Sequence, residues 1–94
     1  MNEINSENLF RRRNDCIGAP VDGGYVMLDL DSGRYLQLNP VGTVIWDLLE
    51  TPQTLRTLCN TLQARFDVGR QECSSEVSAL IGRLLKLNLI RLEG

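Results

Sequence analysis

The first part of the chain alternates between short apolar runs and turn-forming residues, a pattern typical of antiparallel strands. The triplets Asp22-Gly23-Gly24 and Asp31-Ser32-Gly33 predict tight turns, because glycine adopts positive φ at little cost. The β-branched and aromatic residues around them predict strands over 25–30 and 34–38. A weaker first strand is predicted over 16–21, where glycine and proline are poor strand formers. We therefore expect a three-stranded meander.

After these strands, apolar residues recur at helical spacing in three segments. Asn39 is a suitable N-cap for the first helix, and Pro40 suits its first helical position. The predicted buried face of this helix comprises Val41, Val44, Ile45, Leu48 and Leu49. Trp46 lies off the centre of that face. Thr54 predicts the start of a second helix, and a third is predicted from about residue 73 to 88.

The order of these elements predicts an α+β domain with a winged-helix-like arrangement. A three-stranded antiparallel sheet is followed by a three-helix bundle, with the sheet laid against the bundle as a wing. Residues 89–92 are expected to pack back on the sheet. The polar N-terminus, rich in Asn, Ser and Glu, predicts a flexible arm over 1–14 and leaves 15–94 as the domain.

Composition narrows the possible functions. The chain has 94 residues and a net charge of −2, and its one basic run, Arg11-Arg12-Arg13, is short. This charge balance argues against a nucleic-acid binder. It carries no secretory signal and no apolar run near the roughly 20 residues of a membrane helix, so we expect a cytoplasmic protein. Three cysteines and no histidine predict neither a disulfide framework nor a metal site.

A catalytic interpretation finds little support in the residue types. Histidine, the usual general base near neutral pH, is absent, and no cysteine has an evident activating partner. Asp22, Asp29 and Asp31 are better explained as turn residues than as paired acid–base groups. The glycines do not form a phosphate-binding loop. The sequence therefore predicts a protein that is not an enzyme and that uses no cofactor.

Two surfaces remain as candidates for binding a peptide: the edge of the last strand and the wide apolar arc of the third helix. Arg34, Leu36 and Leu38 share one face of that strand, while Tyr35 and Gln37 share the other. A peptide added to the strand gains backbone hydrogen bonds, and neighbouring pockets give specificity. The candidate peptide-binding residues are Arg34, Tyr35, Leu36, Gln37, Leu38, Val77, Leu80, Ile81, Arg83 and Leu84.

An alternative interpretation assigns the aliphatic residues of the third helix to the core alone. On that interpretation the helix is buried on one face, and the uncovered strand stays unexplained. On the peptide-binding interpretation, the third helix walls a groove, and the charged residues Arg83 and Lys86 at the rim of that groove are expected to steer an acidic partner. Both interpretations remain open from the sequence.

Several segments resemble the PqqD-like family. They are 28–35, Leu38-Asn39, Gly42 and 45–49, followed by a leucine pattern that ends in 84–90. The resemblance implies a winged-helix-like fold with three strands and three helices. It also implies that the leader of a ribosomally synthesised precursor peptide binds as an added strand along the third strand, in a groove walled by the third helix.

Within this family, the segment 28–39 is most similar to the standalone leader-binding proteins of split lasso-peptide systems. That similarity implies two partners, a precursor leader and a separate leader peptidase of the transglutaminase-like cysteine protease type. One alternative is a PqqD-type chaperone for a radical enzyme in another modified-peptide or quinone-cofactor pathway. Another is a winged-helix DNA-binding regulator, which requires a basic recognition helix. In the third helix, the positive charges of Arg83 and Lys86 are offset by the negative charges of Glu72 and Glu76.

Overall fold

The computed structural model describes residues 7–13, 16–29 and 32–93. Its helices and strands follow in the order β1 (Leu9–Arg12), β2 (Ile17–Val21), β3 (Gly24–Asp29), β4 (Arg34–Leu38), α1 (Pro40–Leu48), α2 (Leu55–Arg65), α3 (Arg70–Lys86) and β5 (Ile90–Glu93). The α+β class, with a three-stranded antiparallel sheet and three helices, is confirmed.

The three-stranded sheet has the order β2-β3-β4, and both strand pairs are antiparallel. The predicted weak first strand forms over Ile17–Val21, one residue shorter than the predicted 16–21, with Ile17 opposite Leu28 and Val21 opposite Gly24. Gly33 has a φ of 73°, as its predicted turn requires. Residues 30 and 31, which belong to the predicted second strand and turn, lie outside the described residues.

A second sheet, which the sequence did not predict, joins the two ends of the chain. β1 pairs antiparallel with β5, and Arg12 lies opposite Ile90. The expected flexible arm over 1–14 is therefore wrong for Leu9–Arg12, because Phe10 is only 1% exposed and belongs to the core. The rest of the predicted arm includes residues 1–6 and 14, which lie outside the described residues. The C-terminal tail pairs with β1 rather than with the three-stranded sheet.

The helix starts follow the predicted capping chemistry. The side-chain oxygen of Asn39 accepts a hydrogen bond from the Gly42 N–H at 2.8 Å. Thr54 and Thr57 form a reciprocal capping box at the start of α2. α3 begins at Arg70, three residues before the predicted start, and its N-cap Gly69 provides no side-chain bond.

The buried face of α1 is rotated from the predicted face. Trp46 is only 3% exposed, whereas Val44 and Leu48 are half-buried. β1 covers this side of the helix: the Arg12 N–H donates to the Leu49 carbonyl, and the Arg12 guanidinium lies 5.3 Å from the centre of the Trp46 ring. Trp46 is buried on the side of α1 where Arg12 of β1 lies over its ring, a contact between distant segments that helical spacing alone does not predict.

Candidate functional site

β4 lies at one edge of the three-stranded sheet, and no strand of the described residues pairs with its outer side. The opposite edge, β2, contains Gly18 and Pro20, which discourage further strand pairing. β4 contains neither glycine nor proline, and Arg34 is its one charged residue. β4 is therefore the edge better suited to accept another strand.

The side chains of β4 alternate as the sequence predicts. Leu36 and Leu38 point into the core and are 5% and 3% exposed. Tyr35, which is 71% exposed, and Gln37 lie on the other face. Arg34 is exposed at the start of the strand. A strand added to β4 would thus lie beside two accessible side chains, while the buried leucines hold β4 in place.

A cleft of about 240 Å³ lies where the end of β4, the start of α1 and the middle of α3 meet. Buried apolar side chains, including Leu38 and Ile45, form part of its wall, and exposed polar side chains stand beside them. Its full lining comprises Gln37, Leu38, Asn39, Val41, Gly42, Ile45, Glu76, Ala79, Leu80 and Arg83. An apolar cleft with a few polar groups at its margin is typical of a binding site.

α3 presents two neighbouring rows of residues, and only one of them faces the cleft. Val77, Ile81 and Leu84 are buried in the core, so for these three the core interpretation holds. Leu80 is half-buried and Arg83 is exposed, and both line the cleft. The cleft therefore brings together Gln37, Leu38, Leu80 and Arg83 from the predicted set.

Sequence reasoning missed several cleft residues, and for α3 a signal was available. Glu76, Ala79, Leu80 and Arg83 follow the i, i+3, i+4, i+7 spacing of one helical face. This row is offset by one residue from the buried row. The residues from α1 and its cap had no comparable signal, because their position depends on how α1 packs on β4.

Gly42 allows α1 to approach β4 closely at the mouth of the cleft. A Cβ built at this position would lie 3.3 Å from both the Leu38 Cβ and the Asn39 Oδ1. These contacts are tighter than ordinary van der Waals contacts, so a side chain here would push α1 away from the strand. The shape of the cleft depends on this close approach of α1 to β4.

The ionisable side chains of the cleft both come from the cleft-facing row of α3. Glu76 and Arg83 are its ionisable side chains, and its lining includes no cysteine, serine or threonine. The described part of the chain contains no group of three or more residues suited to hold a metal ion. Among the same residues, no helix has the length and apolar character needed to cross a membrane.

Comparison with known families matches residues 24–90, more than half of the chain, to the family described as coenzyme PQQ synthesis protein D (PqqD). The chain belongs to the PqqD family. The matched residues include β4 and every residue of the cleft in this PqqD-family chain. No curated protein sequence matches the chain significantly.

Two solved structures are similar to this PqqD-family chain along most of its length. One is TbiB1 in complex with the TbiA(beta) leader peptide, with 27% identity and a TM-score of 0.73 over 89% of this chain and 95% of that chain. The other is lasso peptide synthetase B1 complexed with the leader peptide, with 29% identity and a TM-score of 0.71 over 90% of this chain and 98% of that chain. Both of these similar structures contain a leader peptide.

Proposed function

We propose that this chain binds the leader of a ribosomally synthesised precursor peptide as an added strand on β4. The observation that carries the proposal is the outer edge of β4, which pairs with no strand of the described residues and continues into the cleft beside α3. The leader peptides named in the two similar structures support the same class of ligand. β-strand addition combines backbone pairing with side-chain pockets, and this site offers both.

The backbone of β4 supplies the sequence-independent part of the binding. Along a strand, the N–H and C=O groups of successive residues point to opposite edges, so alternate residues of Arg34–Leu38 face the peptide. Each backbone hydrogen bond contributes about 0.5–1.5 kcal/mol net. These bonds set the direction and register of the leader but do not distinguish one leader from another.

The cleft supplies the sequence-dependent part. A leader side chain that enters it contacts Leu80 of α3 and the apolar side chains beneath, while Glu76 and Arg83 flank the entrance. Tyr35 and Gln37 contact the peptide on the exposed face of the sheet. Val77, Ile81 and Leu84, predicted as direct contacts, instead anchor α3 in the core and so position its cleft-facing row.

The partner that receives the leader is proposed to be a separate peptidase of the transglutaminase-like cysteine protease type. In this role the chain is non-catalytic: it holds the leader and presents it for cleavage in lasso-peptide-type biosynthesis. The naming of one similar structure as lasso peptide synthetase B1 supports this pathway.

A second candidate is a chaperone for a radical enzyme in quinone-cofactor synthesis or another modified-peptide pathway. The observation that favours it is the family description, coenzyme PQQ synthesis protein D. The genes beside this chain's gene distinguish the two. A short precursor gene next to a peptidase and a cyclase supports the lasso assignment, whereas a radical enzyme gene supports the alternative.

The direct test is a fluorescence anisotropy titration with the labelled leader of the precursor encoded nearby. We expect saturable binding, and Ala79→Trp should weaken it more than about tenfold because the indole fills the cleft. Ala64→Trp is the matched control, since Ala64 is an exposed helical alanine on α2 outside the cleft. Failure of the unmodified protein to bind any neighbouring leader would refute the proposal.

A further inference from the structure

α2 and α3 bring two thiols together away from the proposed leader site. Cys59 is half-buried on α2, and Cys73 on α3 is only 2% exposed. The Cys73 thiol donates to the Cys59 carbonyl oxygen, with the Sγ 3.9 Å from that oxygen, so the two residues lie close together on neighbouring helices. Neither cysteine lines the cleft beside β4. Their proximity is therefore a property of the helix pair and is not explained by leader binding.

A second cleft gives a small molecule access to one of these thiols. It has a volume of about 190 Å³ and lies along α2 and the start of α3, where Cys59 lines it beside Arg56 and Arg70. The guanidinium groups of Arg70 and of Arg56, which also contacts the Glu7 carboxylate at 3.4 Å, attract anionic reagents to this cleft. Cys73 does not line this cleft, so the two thiols differ in access.

We propose that Cys59 and Cys73 are a dithiol pair that closes a disulfide between α2 and α3 by exchange with a small anionic disulfide, such as oxidised glutathione. The Cys59 thiolate attacks one sulfur of that disulfide, forms a mixed disulfide and releases one thiol. Cys73, after losing its proton to solvent, attacks the Cys59 sulfur, and the second thiol leaves. The two cysteines are oxidised by two electrons in total, and the reagent is reduced to two thiols.

Burial determines which cysteine reacts first. It is the main cause that raises the pKa of the Cys73 thiol to about 11, with further contributions from Cys59, Glu76 and Glu72. A buried thiol with a raised pKa is a poor nucleophile toward reagents in solution. It still attacks a sulfur on Cys59, because the packing of α3 on α2 places the Cys73 Sγ beside the backbone of that residue. The order of reaction is thus Cys59 first and Cys73 second.

The disulfide should stabilise the folded domain. It closes a loop of 15 residues from Cys59 to Cys73, which removes conformational freedom from the unfolded chain. For a domain of this size we expect an increase in Tm on the order of 10 °C. α2 and α3 already pack against each other, so the bond joins two helices that are in contact.

Disulfide mapping after incubation of the full chain with oxidised glutathione tests the proposal. Trypsin cleavage places the three cysteines on separate peptides, 14–34, 57–65 and 71–83. We expect a cross-linked 57–65/71–83 pair, an unmodified 14–34 peptide and a raised Tm that dithiothreitol reverses. A cross-link that involves Cys16, a lowered Tm, or glutathionylated Cys59 with no cross-link at any glutathione ratio would overturn the proposal.

Single substitutions test the order of the two steps. Cys73→Ala should accumulate one glutathionyl group on Cys59, because the resolving thiol is gone. Cys59→Ser should leave Cys73 unmodified, because its thiol is buried. Cys16→Ser is the control and should form the disulfide as the unmodified chain does. If Cys73 is modified in folded Cys59→Ser, the assignment of Cys59 as the entry thiol is refuted.

Discussion

Gly24 packs directly against the main chain of Leu38, so closely that a Cβ at Gly24 would overlap the Leu38 carbonyl oxygen. The contact joins the start of β3 to the end of β4, next to the proposed leader cleft. Gly24→Ala must therefore displace backbone rather than a flexible side chain. We expect it to lower the free energy of unfolding by about 1–3 kcal/mol, measured by urea denaturation.

Gly82→Ala is the matched control for this prediction. A Cβ at Gly82 meets nothing within 4 Å, and the residue lies inside α3. Alanine there should raise the free energy of unfolding by about 0.5–1 kcal/mol, because glycine is a poor helix former. Equal stability changes of the two variants, in the same direction, would contradict the packing at Gly24.

The stability of a variant substituted at Phe10 tests whether the N-terminal strand is part of the domain. The Phe10 side chain is buried in the core although the sequence around it is polar. Phe10→Ala should lower the free energy of unfolding by about 3–5 kcal/mol. Leu9→Ala is the control, since Leu9 is exposed, and it should change the stability by less than about 1 kcal/mol. Comparable losses in the two variants, or no loss in either, would show that β1 does not pack as described.

Leu80 and Leu84 separate the leader-binding role of α3 from its structural role. Leu80 lines the cleft, whereas Leu84 is fully buried in the core. Leu80→Ala should weaken leader binding by about tenfold in an anisotropy titration and change stability little. Leu84→Ala should lower the free energy of unfolding by about 2–5 kcal/mol. Leader binding that is unchanged in folded Leu80→Ala would argue against α3 as a wall of the site.

The buried Cys73 thiol predicts a loss of stability in alkaline solution. Its pKa is raised from 9.0 to about 11, chiefly by burial. Below pH 9 the thiol is protonated in both the folded and the unfolded chain, and stability does not depend on it. Between pH 9 and 11 only the unfolded chain releases the proton, so the free energy of unfolding falls as pH rises, by about 2–3 kcal/mol in total.

Chemical denaturation of the reduced protein across pH 8–11 measures this loss. Cys73→Ala has no thiol to ionise, and its curve should fall less steeply over the same interval than that of the unmodified chain. Comparing the two slopes removes the contribution of every ionisable group that the two proteins share. Parallel curves would show that Cys73 is accessible to solvent.

Local sequence signals predicted most of the fold, because caps, turns and strand alternation depend on residues that are close together in the chain. Asn39 and Thr54 cap helices where expected, and Gly33 adopts the positive φ of the predicted turn. The alternation along β4 correctly separated buried Leu36 from exposed Tyr35. Such features follow from backbone conformation and spacing, which are properties of short segments.

Features that depend on residues far apart in the chain were not predictable in the same way. β1 pairs with β5 across about eighty residues, and neither strand carries a strong signal of its own. The burial of Trp46 depends on Arg12 and the strand around it. The division of α3 into a core row and a cleft row likewise depends on how the helix is rotated against the sheet.

The most direct test of strand addition on β4 is a backbone N-methyl scan of the leader peptide, with affinity measured by anisotropy. N-methylation removes one N–H donor and leaves the side chain unchanged. If the leader pairs with β4, affinity should fall by about tenfold or more at every second residue of the bound segment and little at the residues between. Uniform tolerance along the leader, or sensitivity with a helical period, would contradict the account.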